Sequence, residues 1–175
     1  NRSYNYIQAL WEFNRAMKYI VLFGPPGSGK STQINKLKDT LQVESLSTGD
    51  LIRHEIRINS NLGQQISEIV NKGNLVPDDL ITGLIKDKIQ NGLLDKGFIL
   101  DGYPRTVAQA KTLDSWLDYK GDTPLLLFHL KCDYAVLTKR LLKRERSDDS
   151  IDVIENRFRE YDKQLADIAK YYKDR

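Results

Sequence analysis

Residues 24–31 read GPPGSGKS, and their types and spacing predict a loop that binds phosphate. The stretch fits the pattern G-x-x-x-x-G-K-[ST], in which glycines let the chain turn so that several backbone N–H groups converge on one anion. Lys30 adds a mobile full charge. The loop follows the apolar run KYIVLF and precedes a helical pattern with Ile34, Leu37 and Leu41, so a helix N-terminus would also face the phosphate. We therefore expect the chain to bind a nucleoside triphosphate or a close relative.

Several arginines stand where they could hold a second phosphate group. Arginine keeps its charge and grips phosphate through two parallel hydrogen bonds. Arg105 follows one predicted strand in DGYPRT, and Arg53 follows another after STGD, at strand ends where such folds bind their ligands. A second phosphate site facing the first favours phosphoryl transfer over simple binding. The six candidates are Arg53, Arg105, Arg140, Arg144, Arg146 and Arg157.

Four short apolar runs predict the strands that position these residues. They read as fully buried strands over residues 18–23, 43–46, 97–101 and 125–130. Helical patterns lie between them, and the last is a long helix with an apolar stripe over residues 151–172. Alternating strands and helices predict an α/β fold, a parallel sheet with helices on both faces.

Composition excludes several classes of protein. The length of 175 residues suits one domain, and 29% charged residues are ordinary for a globular protein. The longest apolar run, Tyr19 to Phe23, is far shorter than the roughly 18 residues of a membrane span. The single Cys132 excludes an internal disulfide framework and a structural zinc site, and it indicates a reducing compartment. We expect a cytoplasmic monomer without nucleic-acid or membrane partners, and we expect His129, inside a predicted strand, to be a hydrogen-bonded core histidine.

Residues 1–16 precede the only methionine, Met17, and read as an N-terminal extension. A short amphipathic helix that docks on the core is the favoured interpretation, and a targeting remnant or sequence added for expression are the alternatives. Residues 17–175 are predicted to form one domain.

Five motifs occur in an order that points to one family. They are GPPGSGKSTQ (24–33), LSTGDLIR (46–53), GNLVPDDL (73–80), FILDGYPRTVAQA (98–110) and LLKR followed by RSDDS and Arg157. Together they span residues 17 to about 172, and this arrangement resembles the adenylate kinases, which are nucleoside monophosphate kinases. The resemblance implies a P-loop NTPase-type sheet, a mobile helical part at about 48–77 that binds the monophosphate, and a very short lid at about 144–149. It also implies a reversible reaction in which MgATP and AMP give two ADP.

The resemblance further implies roles for individual residues. The catalytic residues would be Lys30, Arg105, Arg146 and Arg157. The residues that hold ATP would be Gly27, Ser28, Gly29, Lys30, Ser31, Thr32 and Arg144. Those that contact AMP would be Thr48, Gly49, Arg53, Asn74, Leu75, Val76, Gly102, Tyr103, Arg105, Gln109, Arg146 and Arg157, with Thr48 and Gln109 reading the adenine. Mg²⁺ would be steered by Asp101 through water, with Ser31 as a further candidate, and Asp148 and Asp149 would help to order the lid.

The sequence departs from the family pattern at three points. Ser31 stands where adenylate kinases usually carry glycine, and the lid is a few residues shorter than the family's short form. The family continues beyond the last helix into a strand and a helix that help to hold the adenine of ATP, so we expect loose selectivity between ATP and GTP. Two alternative functions stay open: a UMP/CMP kinase of the same fold, and a nucleotide-binding module that has lost catalysis. Thr48 and Gln109 favour adenine, and the retained lysine and arginines favour catalysis.

Overall fold

One or more helices follow each strand along the chain, in keeping with the apolar pattern. A computed structural model describes residues 19–93, 97–118, 125–144 and 149–173. The predicted N-terminal extension, most of the predicted lid, Arg146 and Asp148 lie outside the described residues. The elements are β1 (Tyr19–Phe23), α1 (Lys30–Leu41), β2 (Glu44–Ser47), α2 (Thr48–Arg57), α3 (Asn61–Asn71), α4 (Asp78–Lys88), β3 (Phe98–Asp101), α5 (Val107–Asp118), β4 (Leu125–His129), α6 (Tyr134–Leu142) and α7 (Ile151–Lys173).

The four strands form a parallel sheet in the order β2-β3-β1-β4. Tyr19 of β1 lies in register with Phe98 of β3 and with Leu125 of β4, so the strands begin and end together. Their carboxyl ends therefore share one edge, where loops after β1, β2 and β3 can meet. The predicted α/β sheet is confirmed, with strand bounds within one residue of those expected.

Side chains that alternate along the strands build a core on each face of the sheet. Ile20, Leu22 and Ile99 point toward α1, where Ile34 is buried against them. On the opposite face the neighbouring residues of β1 and β3 pack against α4 and α5. That cluster contains Tyr19, Val21, Phe98, Leu100, Ile81, Ile85, Leu113 and Leu117. Full burial of each large apolar side chain contributes about 1.5–3 kcal/mol, so these layers hold the strand ends in fixed positions.

The two outer strands are less buried than their apolar runs predict. In β4, Leu127 is 37% exposed and Phe128 is 44% exposed. In β2, Glu44 and Ser45 are exposed while Leu46 is buried. The expectation of full burial was wrong for these strands because each lies at one end of the strand order and pairs with a single described neighbour.

His129, at the end of β4, is also exposed rather than part of the core. Its Nε2 lies 2.8 Å from the hydroxyl of Tyr161 on α7, so the predicted hydrogen bond is present without the predicted burial. The reason is again its position on an outer strand. The ring contacts the neighbouring helix but is not covered by it.

Helices α2 and α3 form a tight pair beside the carboxyl edge of the sheet. Ser47 caps α2 by accepting from the N–H of Asp50 (3.3 Å), and Ser60 caps α3 by accepting from the N–H of Gly63 (2.9 Å). A Cβ on Gly63 would lie 2.2 Å from the carbonyl oxygen of Glu55, so only glycine permits this close approach of the helices. The pair is thus a compact unit that can carry ligand-binding residues.

A third apolar cluster joins α6 to α7. It consists of Leu137, Leu141, Ile154 and Phe158, and Leu141 also lies against Gly27. This packing brings both helices next to the loop after β1. Within the described ranges, no helix combines the length and the apolar character needed to cross a membrane.

Candidate active site

The loop between β1 and α1 has the backbone geometry of a phosphate cradle. Gly27 and Gly29 have φ values of +79° and +90°, a left-handed conformation that other residues rarely adopt. Gly29 is also the residue before the first turn of α1, where unpaired backbone N–H groups point outward. Lys30 Nζ donates to the carbonyl oxygens of Gly24 (2.7 Å) and Pro25 (3.1 Å), which holds its charge over the loop.

Lys30 and Asp101 form the electrostatic centre of the site. Lys30 Nζ lies 3.9 Å from Asp101 Oδ1 at the end of β3. Burial lowers the pKa of Lys30 to about 8; Asp101 opposes the shift, while Arg105, Arg157 and Arg144 add to it. Burial raises the pKa of the Asp101 carboxyl, opposed chiefly by Lys30. The lysine is therefore charged at neutral pH but lies close to its titration point.

Asp149 orients two arginines toward the same space. Arg144 binds its carboxylate through Nε (2.8 Å) and Nη2 (2.7 Å), a bidentate pair. Arg157 Nη1 lies 3.4 Å from Asp149 Oδ1, and the Asp149 side chain is only 2% exposed. A buried carboxylate thus joins the end of α6 to α7 and fixes two positive charges beside the cradle.

A cavity of about 430 Å³ opens at the carboxyl ends of the strands, as the fold predicts. The phosphate loop forms one wall, and arginines from α2, α6, α7 and the loop after β3 form the others. Five of the six arginines singled out from the sequence line it, namely Arg53, Arg105, Arg140, Arg144 and Arg157. The structure therefore brings together cationic side chains that are far apart in the sequence.

A second, smaller cavity of about 80 Å³ adjoins the first, beneath α2 and α3. Thr48, Asn74, Val76 and Gln109 are predicted site residues that line only this smaller space. Both cavities are lined by Gly49, Arg53, Gly73, Leu75, Gly102, Arg105 and Arg157. The cleft thus has two chambers that meet at three arginines.

Hydrogen bonds orient the polar side chains of the smaller chamber. Thr48, 2% exposed, has its hydroxyl within 3.2 Å of the carbonyl oxygen of Asp101 and 3.1 Å of that of Gly102. A Cβ on Gly102 (φ +80°) would lie 2.5 Å from the Thr48 hydroxyl, so glycine is required at this turn. The backbone N–H of Arg105 donates to Gln109 Oε1 at 2.7 Å.

The structure places all but one of the described predicted site residues on the cleft. Every residue predicted to hold ATP, together with Asp101, lines the larger chamber. Tyr103, predicted to contact AMP, lines neither chamber. It is 1% exposed, stacks on Trp116 and donates from its hydroxyl to the carbonyl oxygen of Gln109 (3.2 Å). Its side chain lies in the core because it points away from the cleft, and it supports Gln109 from behind.

Arg140 and Asn156 are polar residues in or near the cleft that received no role from the sequence. Arg140 lines the larger chamber, and its position among six candidate arginines was the only signal. Asn156 on α7 donates through Nδ2 to the carbonyl oxygen of Lys72 and to Asn74 Oδ1, both at 2.9 Å. No local sequence pattern could have indicated the contact between Asn156 and Asn74, because the two residues are 82 positions apart.

A phosphate loop that faces a cluster of arginines, with a second, smaller chamber beyond them, defines a P-loop phosphotransferase of the nucleoside monophosphate kinase class. A family model described as adenylate kinase matches residues 22–175. The chain belongs to the adenylate kinase family.

Similar proteins named adenylate kinase come from several bacteria. That of Mycobacterium tuberculosis (strain H37Rv) is 41% identical over 155 residues, 89% of this chain and 86% of the relative. That of Synechococcus sp. (strain WH7803) is 42% identical over 160 residues, 91% of this chain and 87% of the relative. That of Stenotrophomonas maltophilia (strain R551-3) is 40% identical over 157 residues, 87% and 84% of the two chains. The resemblance and the predicted enzyme class are confirmed, and the UMP/CMP kinase alternative is not favoured.

Proposed function

We propose that this chain catalyses the reversible transfer of the γ-phosphoryl group of MgATP to AMP, with two ADP as products. The observation that carries the proposal is that Arg105 and Arg157 line both chambers of the cleft. Guanidinium groups at that boundary lie where the phosphates of two nucleotides would meet. Phosphoryl transfer depends on this kind of positioning and charge neutralisation, because the protein supplies little covalent chemistry.

The donor nucleotide would bind in the larger chamber. The backbone N–H groups of residues 27–32 would surround its phosphates, and Lys30 would move from the loop carbonyls onto the transferred group. Arg144, held by Asp149, would contact the phosphate chain from the opposite wall. Arg144 is positioned in advance by Asp149, so it would need little reorganisation as charge grows in the transition state.

The acceptor would bind in the smaller chamber. Arg53 and Arg105 would hold the AMP phosphate, and Thr48 and Gln109 would read its adenine. Residues 74–76 would line the ribose and base. An AMP phosphate oxygen would attack the γ-phosphorus in line; a bond forms between them while the bond to the bridging oxygen of ADP breaks. No covalent enzyme intermediate is needed.

Mg²⁺ fits the donor set of the larger chamber. This ion commonly keeps several waters and binds one or two protein oxygens together with substrate phosphates. Asp101 and Ser31 line the chamber beside the phosphate loop and would supply a carboxylate, through water, and a hydroxyl. When bound, the ion neutralises phosphate charge.

Closure of the cleft would protect the reaction from water. Residues 48–77 would close over AMP and residues 144–149 over ATP, and exclusion of water prevents hydrolysis of the donor. The role of Arg146 beside Arg157, the cytoplasmic location, the monomeric state and the absence of nucleic-acid or membrane partners stay predictions.

The test is product formation from MgATP with AMP, CMP, UMP or GMP supplied separately, resolved by chromatography. Rapid ADP formation from MgATP with AMP, and not with the other three monophosphates, supports the proposal. Turnover with CMP or UMP in place of AMP would contradict the acceptor assignment, and no turnover with any acceptor would contradict catalysis. The Lys30→Met variant, purified in the same way, is the control for a contaminating kinase.

A further inference from the structure

We propose that Asp78 is a positioning residue that sets which purine the acceptor chamber takes, an inference that rests on the proposed role of Gln109 in reading the base. Asp78 begins α4 and is half-buried. It is not among the residues that line either chamber. Its effect on a ligand would therefore pass through the side chain that it holds.

The amide of Gln109 is oriented from both of its ends. Oε1 accepts from the backbone N–H of Arg105 (2.7 Å), and Nε2 donates to Asp78 Oδ1 (2.8 Å). A backbone N–H can only donate and a carboxylate can only accept. A flip of the amide would therefore place two donors face to face at one end and two acceptors at the other.

Asp78 is itself held in place. The hydroxyl of Thr106 donates to its other carboxylate oxygen, and Thr106 Oγ1 accepts from the backbone N–H of Gln109 (3.2 Å). Gln109 is only 3% exposed, so water does not replace a lost partner at low cost. The three residues form a closed network in which the carboxylate charge fixes the direction of one amide.

That direction determines what the chamber can recognise. An amide oxygen has two acceptor sites and an amide nitrogen has two hydrogens, so one of each remains for a ligand. Adenine presents an amine donor beside a ring nitrogen acceptor, which matches this pair. A 6-oxopurine presents a carbonyl in place of the amine and would bring it against Gln109 Oε1. The network thus favours 6-aminopurine nucleotides and rejects 6-oxopurine nucleotides.

Asp78→Asn keeps the shape of the side chain but can present either an oxygen or an NH₂ group to Gln109. We expect the ratio of kcat/KM for AMP to kcat/KM for inosine monophosphate to fall about tenfold, the scale of one hydrogen bond to a charged group. The KM for ATP stays unchanged. Thr106→Val removes the partner of the other Asp78 oxygen and of the Gln109 backbone N–H but leaves the bond between Asp78 and the Gln109 amide, so it gives a smaller loss in the same direction.

Asp79→Asn is the matched control. Asp79 is exposed in the same first turn of α4, so its substitution removes an equal charge from the same helix end. The AMP-to-inosine-monophosphate ratio should stay at the wild-type value. Thermal unfolding of each variant shows whether the fold is retained.

Calorimetric binding of AMP and of inosine monophosphate, measured beside turnover, separates this inference from the proposed function. An Asp78→Asn variant that loses equal affinity for both nucleotides, or no affinity for either, overturns the inference and leaves AMP kinase activity standing. If the wild-type protein distinguishes the two nucleotides in binding, the Asp78→Asn variant does not, and AMP is not phosphorylated, the result contradicts the proposed function and supports the inference. A wild-type protein that phosphorylates both equally well overturns the inference.

Discussion

The smaller chamber, proposed to bind the acceptor, holds Thr48 and Gln109 through hydrogen bonds among buried groups, whereas in the larger chamber, proposed to bind the donor, ion pairs add to the hydrogen bonds that hold the charged groups. Thr48 and Gln109 are almost fully buried and have partners at fixed geometry. Across the cleft, Lys30 lies between loop carbonyls and Asp101, and Asp149 pairs with arginines on α6 and α7. The smaller chamber is thus defined by the directions of its hydrogen bonds, and the larger chamber by its charged side chains.

On the proposed function, the difference follows from what each chamber would recognise. A base is told apart by the order of its donors and acceptors, and a rigid buried network can read that order. A phosphoryl group in transfer carries charge that spreads over several oxygens, and guanidinium and ammonium groups stabilise it along the whole path. We therefore expect substitutions at the boundary to affect transfer, and substitutions within one chamber to affect one nucleotide.

The largest expected effect comes from Arg157→Met, which tests the shared boundary. Arg157 lines both chambers, and loss of its charge should lower kcat about 10³-fold or more, on the scale of other transfer-site arginines. Dissociation constants for ATP and AMP should change less than about tenfold because other cations hold each nucleotide. Pre-steady-state and binding measurements give both quantities.

Arg159→Met is the control on the same helix, since Arg159 is exposed and should not affect turnover. A fall in kcat of less than tenfold for Arg157→Met would show that phosphoryl transfer does not depend on the charge at the boundary between the chambers. Equal loss of turnover at Arg159 would show a general charge effect.

Asn156→Ala should affect AMP and ATP differently, with a smaller effect than Arg157→Met. Asn156 ties the turn after α3 to α7 through two hydrogen bonds, and its partner Asn74 lines only the smaller, acceptor chamber. Loss of both bonds should raise the KM for AMP about tenfold at unchanged KM for ATP. Initial rates with each nucleotide varied in turn measure the difference.

The exposed neighbour Glu155 provides the comparison, because Glu155→Ala leaves both hydrogen bonds intact. An equal rise in both KM values for Asn156→Ala would mean that the contact stabilises the whole cleft and that the chambers are not independent.

The smallest expected effect is a pH dependence confined to the donor chamber. Nucleotide-free Lys30 has a pKa of about 8 and loses its proton above that pH, whereas a bound triphosphate raises the pKa again. Binding of ATP at pH 8.5 should therefore take up a proton, and affinity should fall about fourfold between pH 7 and pH 8.5. Calorimetry in buffers of different ionisation enthalpy measures the uptake.

Lys30→Arg stays charged throughout this range and should bind ATP without that uptake. AMP, which on the proposed assignment would bind in the smaller chamber away from Lys30, should show less uptake in the wild-type protein. Proton release on binding, or equal proton uptake with both nucleotides, would contradict the assignment of the larger chamber to the donor nucleotide.

Local sequence patterns predicted much of the site because the residues of the phosphate loop are close together in the chain. The cradle depends on Gly27, Gly29 and Lys30, which are close in the chain, and a left-handed φ at glycine is a property of single residues. The apolar runs predicted the strands, and parallel pairing placed Asp101 and Arg105 beside the loop. Residue type and period therefore determined the phosphate site, the fold class and the face on which both lie.

Only the tertiary structure decided features that depend on strand order and on distant partners. An apolar run does not show whether a strand is central or outer, so the exposure of Phe128 and His129 followed only from the place of β4 in the sheet. Asn156 meets Asn74, and Asp78 meets Gln109, across 82 and 31 positions of the chain. The sequence by itself determined the phosphate loop, because its backbone geometry depends on a few neighbouring residues. Which groups orient Gln109 was decided by packing, because the direction of these hydrogen bonds is set only once separate parts of the chain have been brought together.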